Sequence, residues 1–243
     1  MHNLNVVKIS GYPGMVTMPT ASLSPGKPGY HHGDLEVALV TEATALVRAN
    51  GAEAVSLRQV AQAAGVSPSA AYAHFPDKHA LMCAVAAQGM VDLDNRMVEG
   101  VTAITGADDR AAVERFWRAG QEYVQFAVEE PHLFRHMFGP YCPAVQFAAE
   151  LATQGKSLTG LEHKAESVSY QLLCSSLDDL ETRALLRPGI REGLDLVMWA
   201  TMHGFACLVL DGLLPLDSRD LLLSSISRLA LVDGLAESQR PLP

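Results

Sequence analysis

The residues best equipped for chemistry stand close together. Tyr72, His74 and Lys78 carry a hydroxyl, an imidazole and an ammonium within seven positions. Just upstream, Ser67 is placed to cap a helix that begins at Pro68, where a missing N–H costs nothing. A capped helix start contributes backbone N–H groups and the positive end of the helix dipole. Groups of this kind suit a row of phosphates, which position a protein on a duplex while base edges specify the sequence. Arg58 can reach a base edge or a phosphate, arginine to guanine being the commonest specific contact. Ser69 and Ala71 read as small outward residues, allowing close approach and contact with a thymine methyl. Plainer readings stand beside these. Tyr72 can be a core aromatic, His74 an ordinary surface histidine, and Lys78 a solvated charge at a helix start, where the dipole disfavours it. Phe75 reads as core.

Other chemistries find no matching pattern. There is no Gly-x-Ser-x-Gly, no phosphate-binding Gly-x-x-x-x-Gly-Lys-Ser/Thr, no His-Glu-x-x-His, and no Gly-x-Gly-x-x-Gly after a strand. Acids and histidines lack a spacing that pairs them for proton transfer, so an enzyme is not expected. The four cysteines (Cys83, Cys142, Cys174, Cys207) are scattered and form no Cys-x-x-Cys pair. That argues against a zinc ribbon or a disulfide scaffold and fits reduced thiols in a cytoplasm. His132 and His136 are four apart and share a helical face, but no third ligand stands nearby, so neither metal nor cofactor is expected.

The elements that must position the Tyr72–Lys78 group are helical. The chain has 243 residues, 49% hydrophobic and only 6% aromatic, with a net charge of -9. A uniformly basic coat is excluded. Residues 1–81 balance five basic residues against five acidic ones, so the acidity lies in 82–243. If one end approaches a polyanion, it is the N-terminal end. Residues 1–29, rich in Pro and Gly, read as a disordered tail without the apolar run of a signal peptide. Leu39, Ala43, Leu46 and Val47 fall on one helical face that stops at Asn50-Gly51. Ser56-Leu57-Arg58-Gln59 has the form of a capping box. A short helix follows to Gly65, a second runs from Ser67 to His74-Phe75, and a third starts at Pro76-Asp77 and reaches about Thr105. Further helices are expected over 108–129, 143–153, 158–186, 189–213 and 217–237. The apolar run Leu196–Leu210 is too short for a membrane span and reads as a buried core helix.

Two short helices around Gly65-Val66-Ser67 have helix-turn-helix form, in which the second helix enters the major groove. At these residues the sequence resembles the tetracycline-repressor (TetR) family of bacterial transcription regulators. The resemblance rests on Gly65-Val66-Ser67, Tyr72, His74-Phe75-Pro76, Lys78 and Leu81, with Tyr30-His31-His32-Gly33-Asp34-Leu35 and Leu57-Arg58-Gln59-Val60-Ala61 upstream. Trp199, His203-Gly204, Leu208 and Leu210-Asp211-Gly212 look like the WHG-type C-terminal domain of one subgroup. The sequence departs from the family pattern at Ser69-Ala70-Ala71 and at His79, and residues 30–81 hold three Lys/Arg against five Asp/Glu.

The resemblance implies an all-α protein: a helix-turn-helix DNA-binding domain over 30–81 and an effector-binding and dimerisation domain over 82–243. It implies a ligand-responsive regulator, acting as a repressor, that binds double-stranded DNA as a homodimer and is released by a small apolar effector. Its DNA-binding residues would be Arg58, Ser67, Pro68, Ser69, Ala71, Tyr72, His74 and Lys78. Phe116, Trp117, Tyr123, Phe134, Met137, Phe138 and His203 are candidates to line the effector pocket, though each serves equally well as core. His203 inside an apolar helix reads as a hydrogen-bonded structural histidine or as a polar group of that pocket. Leu221, Ile226 and Leu229 offer the last helix an apolar face for pairing or for the domain's own core. No membrane partner is expected. The rival reading is a helical small-molecule-binding or protein-interaction module without DNA function, which leaves Tyr72, His74 and Lys78 unexplained.

Overall fold

Local capping chemistry sets the boundaries of the first helices. The computed structural model describes residues 32–139, 141 and 167–232. Helix α1 (His32–Asn50) turns Leu39, Ala43 and Val47 inward and ends at Gly51, whose φ is +78°. A single 3-10 turn, Ala52–Ala54, leads to α2 (Leu57–Ala63). The capping box forms in both directions: the Gln59 N–H donates to Ser56 Oγ at 3.3 Å, and the Ser56 N–H donates to Gln59 Oε1 at 2.9 Å. Gly65, at φ +69°, closes α2. Its N–H donates to the Gln62 carbonyl and that of Val66 to the Ala61 carbonyl, the paired pattern of a left-handed C-cap. Val66 then packs against the core, filling the corner before α3 (Pro68–His74).

Asp77 caps α4 (Lys78–Thr102) by accepting from the Ala80 N–H at 2.8 Å. This 25-residue helix leaves the three-helix head and runs into the C-terminal core. There it meets α5 (Asp109–Glu129), capped by Asp108, and α6 (Pro131–Met137), a short helix opened by proline. Three more helices follow: α7 (Val168–Thr182), α8 (Leu194–Leu210) and α9 (Ser218–Ala230). α5 lies between α4, α7 and α8, and α6 touches both α1 and α4. Among the described residues the fold is nine α-helices, with one isolated bridge, Leu186 to Leu231, tying the loop after α7 to the end of α9.

Three expectations are adjusted. α8 starts at Leu194 rather than near 189, because turns with Gly189 and Gly193 at positive φ occupy the preceding stretch. The apolar run of α8 is not simply buried: Leu196, Val197 and Leu208 are 42%, 55% and 40% exposed. α9 ends at Ala230. The tail 1–29, the helix expected over 143–153, and the stretches 158–166 and 233–237 lie outside the described residues. Among those residues no helix is long and apolar enough to cross a membrane.

Candidate nucleic-acid interface and core polar site

The head is held from inside by Leu35, Leu39, Val47, Leu57, Val60, Ala71 and Phe75. Packing of α3 on this cluster decides which of its residues face out. Pro68, Ser69, Tyr72 and Ala73 are exposed, and Tyr72 retains 48% of its surface. Ala71 is fully buried, which corrects the expectation that it faces a groove. In a seven-residue helix, 71 lies about 200° from 69 and 73, and the core takes that side. Ala73 takes the outward place instead. The only sequence signal for this was the buried partner pair Ala71 and Phe75, four apart on one face.

Ser67 caps α3, its hydroxyl accepting from the Ala70 N–H at 3.2 Å. Arg58 is exposed on α2, and His74 is half-buried at the end of α3. Lys78 Nζ donates to the Glu53 carbonyl at 3.1 Å, so it ties the 3-10 turn to the start of α4. An ammonium has three donors, and one such bond leaves two. Arg48, the head's other arginine, is engaged elsewhere: it pairs with Asp92 of α4 at 2.7 Å and Glu130 at 3.1 Å.

The expected pocket residues separate into groups. Tyr123 (α5), Phe134 and Phe138 (at α6) and His203 (α8) come together. Tyr123 Oη lies 2.8 Å from His203 Nδ1. The His203 ring stands 4.7 Å from Phe138 and 5.5 Å from Phe134, centroid to centroid. Burial pushes the His203 imidazole below the usual histidine range, so it is neutral. Phe116 and Trp117 form a pair of their own, with centroids 4.6 Å apart. Met137 is fully buried and points at Gly89 of α4. His132 lies against Gly51, while His136 Nε2 bonds the Met82 carbonyl at 2.9 Å. The two histidines therefore serve separate contacts, and among the described residues no three His, Cys, Asp or Glu side chains converge on a metal position.

Sequence reasoning missed the neighbours of His203 along its own helix. Asp195, Trp199, His203 and Cys207 recur every fourth residue and form one stripe on α8 that faces its neighbours. Cys207 Sγ is 3.6 Å from His203 Nε2, and the Trp199 ring lies 6.0 Å from the same imidazole. Tyr170 of α7 donates a short hydrogen bond to Asp195 and meets Trp199 edge-on at 6.5 Å. Arg191 bridges Asp195, at 3.2 Å, and Asp178. The spacing was legible in the sequence as a period-four pattern.

An exposed second helix of a helix-turn-helix, on a small head joined by a long helix to a helical core, defines a DNA-binding transcription regulator. Known proteins agree with this. Residues 39–85 match the model for bacterial regulatory proteins, tetR family, and residues 116–229 match the tetracyclin repressor-like C-terminal domain. The chain belongs to the tetR family of bacterial regulatory proteins and is a transcription regulator, not an enzyme. A protein of unknown function from Rhodococcus sp. RHA1 is 27% identical, covering 88% of this chain and 100% of its own, with a TM-score of 0.63. RolR, solved in complex with resorcinol, shares the fold at 19% identity, over 87% of this chain and 96% of its own, with a TM-score of 0.55. NalD of Pseudomonas aeruginosa, the secondary repressor of the MexAB-OprM multidrug efflux pump, does so at 19% identity, over 84% and 100%, with a TM-score of 0.51. No curated protein matches the chain.

Proposed function

We propose that this regulator is a repressor that binds a near-palindromic operator as a homodimer and leaves it when a small apolar effector enters the core between α5, α6 and α8. The observation that carries the reading is the outward face of α3: Ser69, Tyr72 and Ala73 exposed behind a capped start at Ser67. On this reading Ser67, Pro68 and Ser69 approach the backbone through the helix start. Tyr72, His74 and Lys78 hold phosphates, and Arg58 reads a base edge or adds a phosphate contact. The head spans residues 30–81 and the effector and dimerisation domain 82–243, the WHG-type motif at Trp199–Gly212 belonging to the latter. That RolR was solved with resorcinol supports a small ring compound as the class of effector.

One head makes too few contacts for a specific site, so two are needed, spaced by about 34 Å to meet successive major grooves. α8 and α9 supply the apolar surface for pairing. Leu221 and Leu229 are 68% and 71% exposed, whereas Ile226 turns into the subunit's own core. Effector in the core favours a conformer with another spacing, and only its differential affinity for the two conformers can drive the shift. α4 is the lever, since it begins at Lys78 in the head and packs on α5 and α6. α6 gives a second linkage: it carries Phe134 at the His203 cluster and also meets the head, through His132 at Gly51 and, just before it, through Glu130 to Arg48.

The test uses an operator selected from random duplexes and a mobility-shift titration. Tyr72→Ala with Lys78→Ala should remove specific binding while helix content and oligomeric state persist. Residual binding at low salt should show a salt slope shallower by about one unit for each phosphate no longer held. Full operator affinity in the double variant would defeat the reading, as would a wild-type chain that binds no duplex at low salt.

A further inference from the structure

The α8 stripe carries a more specific conclusion about the effector, one that rests on the core being the effector site. α8 departs from an ordinary amphipathic helix. Its outward residues include Leu196, Val197 and Leu208, while Trp199, His203 and Cys207 turn toward the aromatic cluster of α5 and α6. Burying polar groups is costly unless they are matched, so an inward polar stripe needs a partner.

Charge around His203 is one-sided. Burial alone lowers the affinity of this imidazole for a proton, with no carboxylate and no cation among the described residues acting on it. Burial also pushes the Cys207 thiol up, so it too is neutral. The ions flanking the stripe are already paired: Asp195 with Arg191 and Tyr170, and Arg135 with Asp211 at 2.6 Å. Among the described residues an ionised ligand would find no unengaged counter-ion here, and it would lose its hydration.

Hydrogen bonding is one-sided as well. The Tyr123 hydroxyl donating to His203 Nδ1 puts the ring proton on Nε2, whose neighbour is the Cys207 sulfur at 3.6 Å. A neutral sulfur is a weak acceptor. The imidazole thus holds out a donor that an oxygen would satisfy better. Phe138, Phe134, Tyr123 and Trp199 surround it with ring faces and edges. We infer that the regulator recognises an uncharged aromatic compound through one hydroxyl or carbonyl oxygen, which accepts from His203 Nε2 while its ring packs among Phe134, Phe138 and Trp199.

The full chain with Trp117→Phe leaves Trp199 as its one indole, because the sequence has two tryptophans. Phenol, benzoate, benzylamine and toluene are titrated at neutral pH, with Trp199 emission and melting temperature as readouts. Phenol is expected to perturb Trp199 and raise the melting temperature, with benzoate and benzylammonium at least tenfold weaker. His203→Phe keeps a ring but removes the donor. It should weaken phenol about tenfold, the scale of one hydrogen bond removed, and leave toluene unchanged. His203→Asn, which restores an N–H, should recover part of the phenol affinity; melting curves confirm that each variant folds. The inference is overturned if a charged probe binds as tightly as phenol. It also falls if His203→Phe weakens phenol and toluene equally, or if millimolar phenol leaves Trp199 unperturbed. Adding the probes to the operator complex separates the two readings. Phenol bound through His203 without release of DNA keeps the ligand class and defeats the effector-release mechanism. Release by benzoate but not by phenol does the reverse.

Discussion

Gly89 shows how a single missing side chain lets α6 dock on α4. A Cβ there would stand 2.6 Å from Met137 Cγ and 2.7 Å from Sδ, with Leu133 Cδ1 at 3.1 Å. Met137 is flexible but fully buried, so it has little room to yield. Gly89→Ala is expected to destabilise the protein by about 1–3 kcal/mol, the usual range for an overpacked core, measurable by urea unfolding. Two buried histidines make the second residue-scale prediction. His136 and His203 both have their proton affinity lowered, chiefly by burial; at His136 Lys78 lowers it further, while the Met82 carbonyl and Glu53 oppose the shift. The folded chain keeps both neutral, whereas the unfolded chain protonates them near the ordinary value of about 6.5. Stability is therefore at its full value above that pH and falls as pH drops below it, by up to about 1.4 kcal/mol per pH unit for each histidine. Melting curves between pH 7.5 and 5 should show the decline, and His203→Phe should make it shallower. A flat profile would contradict the neutral assignment.

At the scale of elements, helix ends account for much of what holds the parts in place. α7 closes with the same left-handed turn that closes α2, but its positive-φ residue is Ala184, at φ 56°. The Ala184 N–H donates to Glu181 and that of Leu185 to Leu180, completing the cap. The left-handed region costs an alanine about 1–2 kcal/mol, and glycine gives back about 0.5–1 kcal/mol through the freer unfolded chain. Ala184→Gly is thus expected to raise stability by roughly 0.5 kcal/mol, a small upward shift in the urea midpoint. A drop would mean that the Ala184 methyl has a packing role. The start of α7 is held twice, by the Ser167 hydroxyl on the Tyr170 N–H and by Asp94 of α4 on the Ser169 N–H at 2.9 Å. Burial raises the Asp94 carboxyl against the lowering effect of those Ser169 bonds. Across α4 and α5, Arg96 pairs with Glu122 at 2.9 Å and makes a short contact to Glu129. Half-exposed pairs of this kind orient helices more than they stabilise them.

At the scale of the whole molecule, the prediction concerns pairing. Leu221 and Leu229 stand on the outer side of α9, away from Leu223 and Ile226 in the core. On the dimer reading, Leu221→Glu with Leu229→Glu should give a folded monomer by sedimentation. Operator affinity should then fall by orders of magnitude, because each head binds alone. An unchanged dimer in that variant would move the interface elsewhere.

What the sequence by itself determined was local. The Ser56–Gln59 box, the turn at Gly65, the proline at 68 and the Asp77 and Asp108 caps each depend on residues within a few positions, so their types decide the backbone directly. The helix-turn-helix and its exposed Tyr72 follow from that, as does the all-helical class. The tertiary structure decided rotation and partnership. Packing against the head's buried cluster turned Ala71 inward and Ala73 outward, and nothing within a seven-residue helix sets that angle. Hydropathy assigned the apolar run of α8 to the core as a whole. Its actual orientation, with Leu196 and Leu208 outward and Trp199, His203 and Cys207 turned to their neighbours, depends on Tyr123, Phe134 and Phe138 from distant helices. Side-chain period tells which residues share a face; only the neighbours that a face meets determine whether it looks in or out.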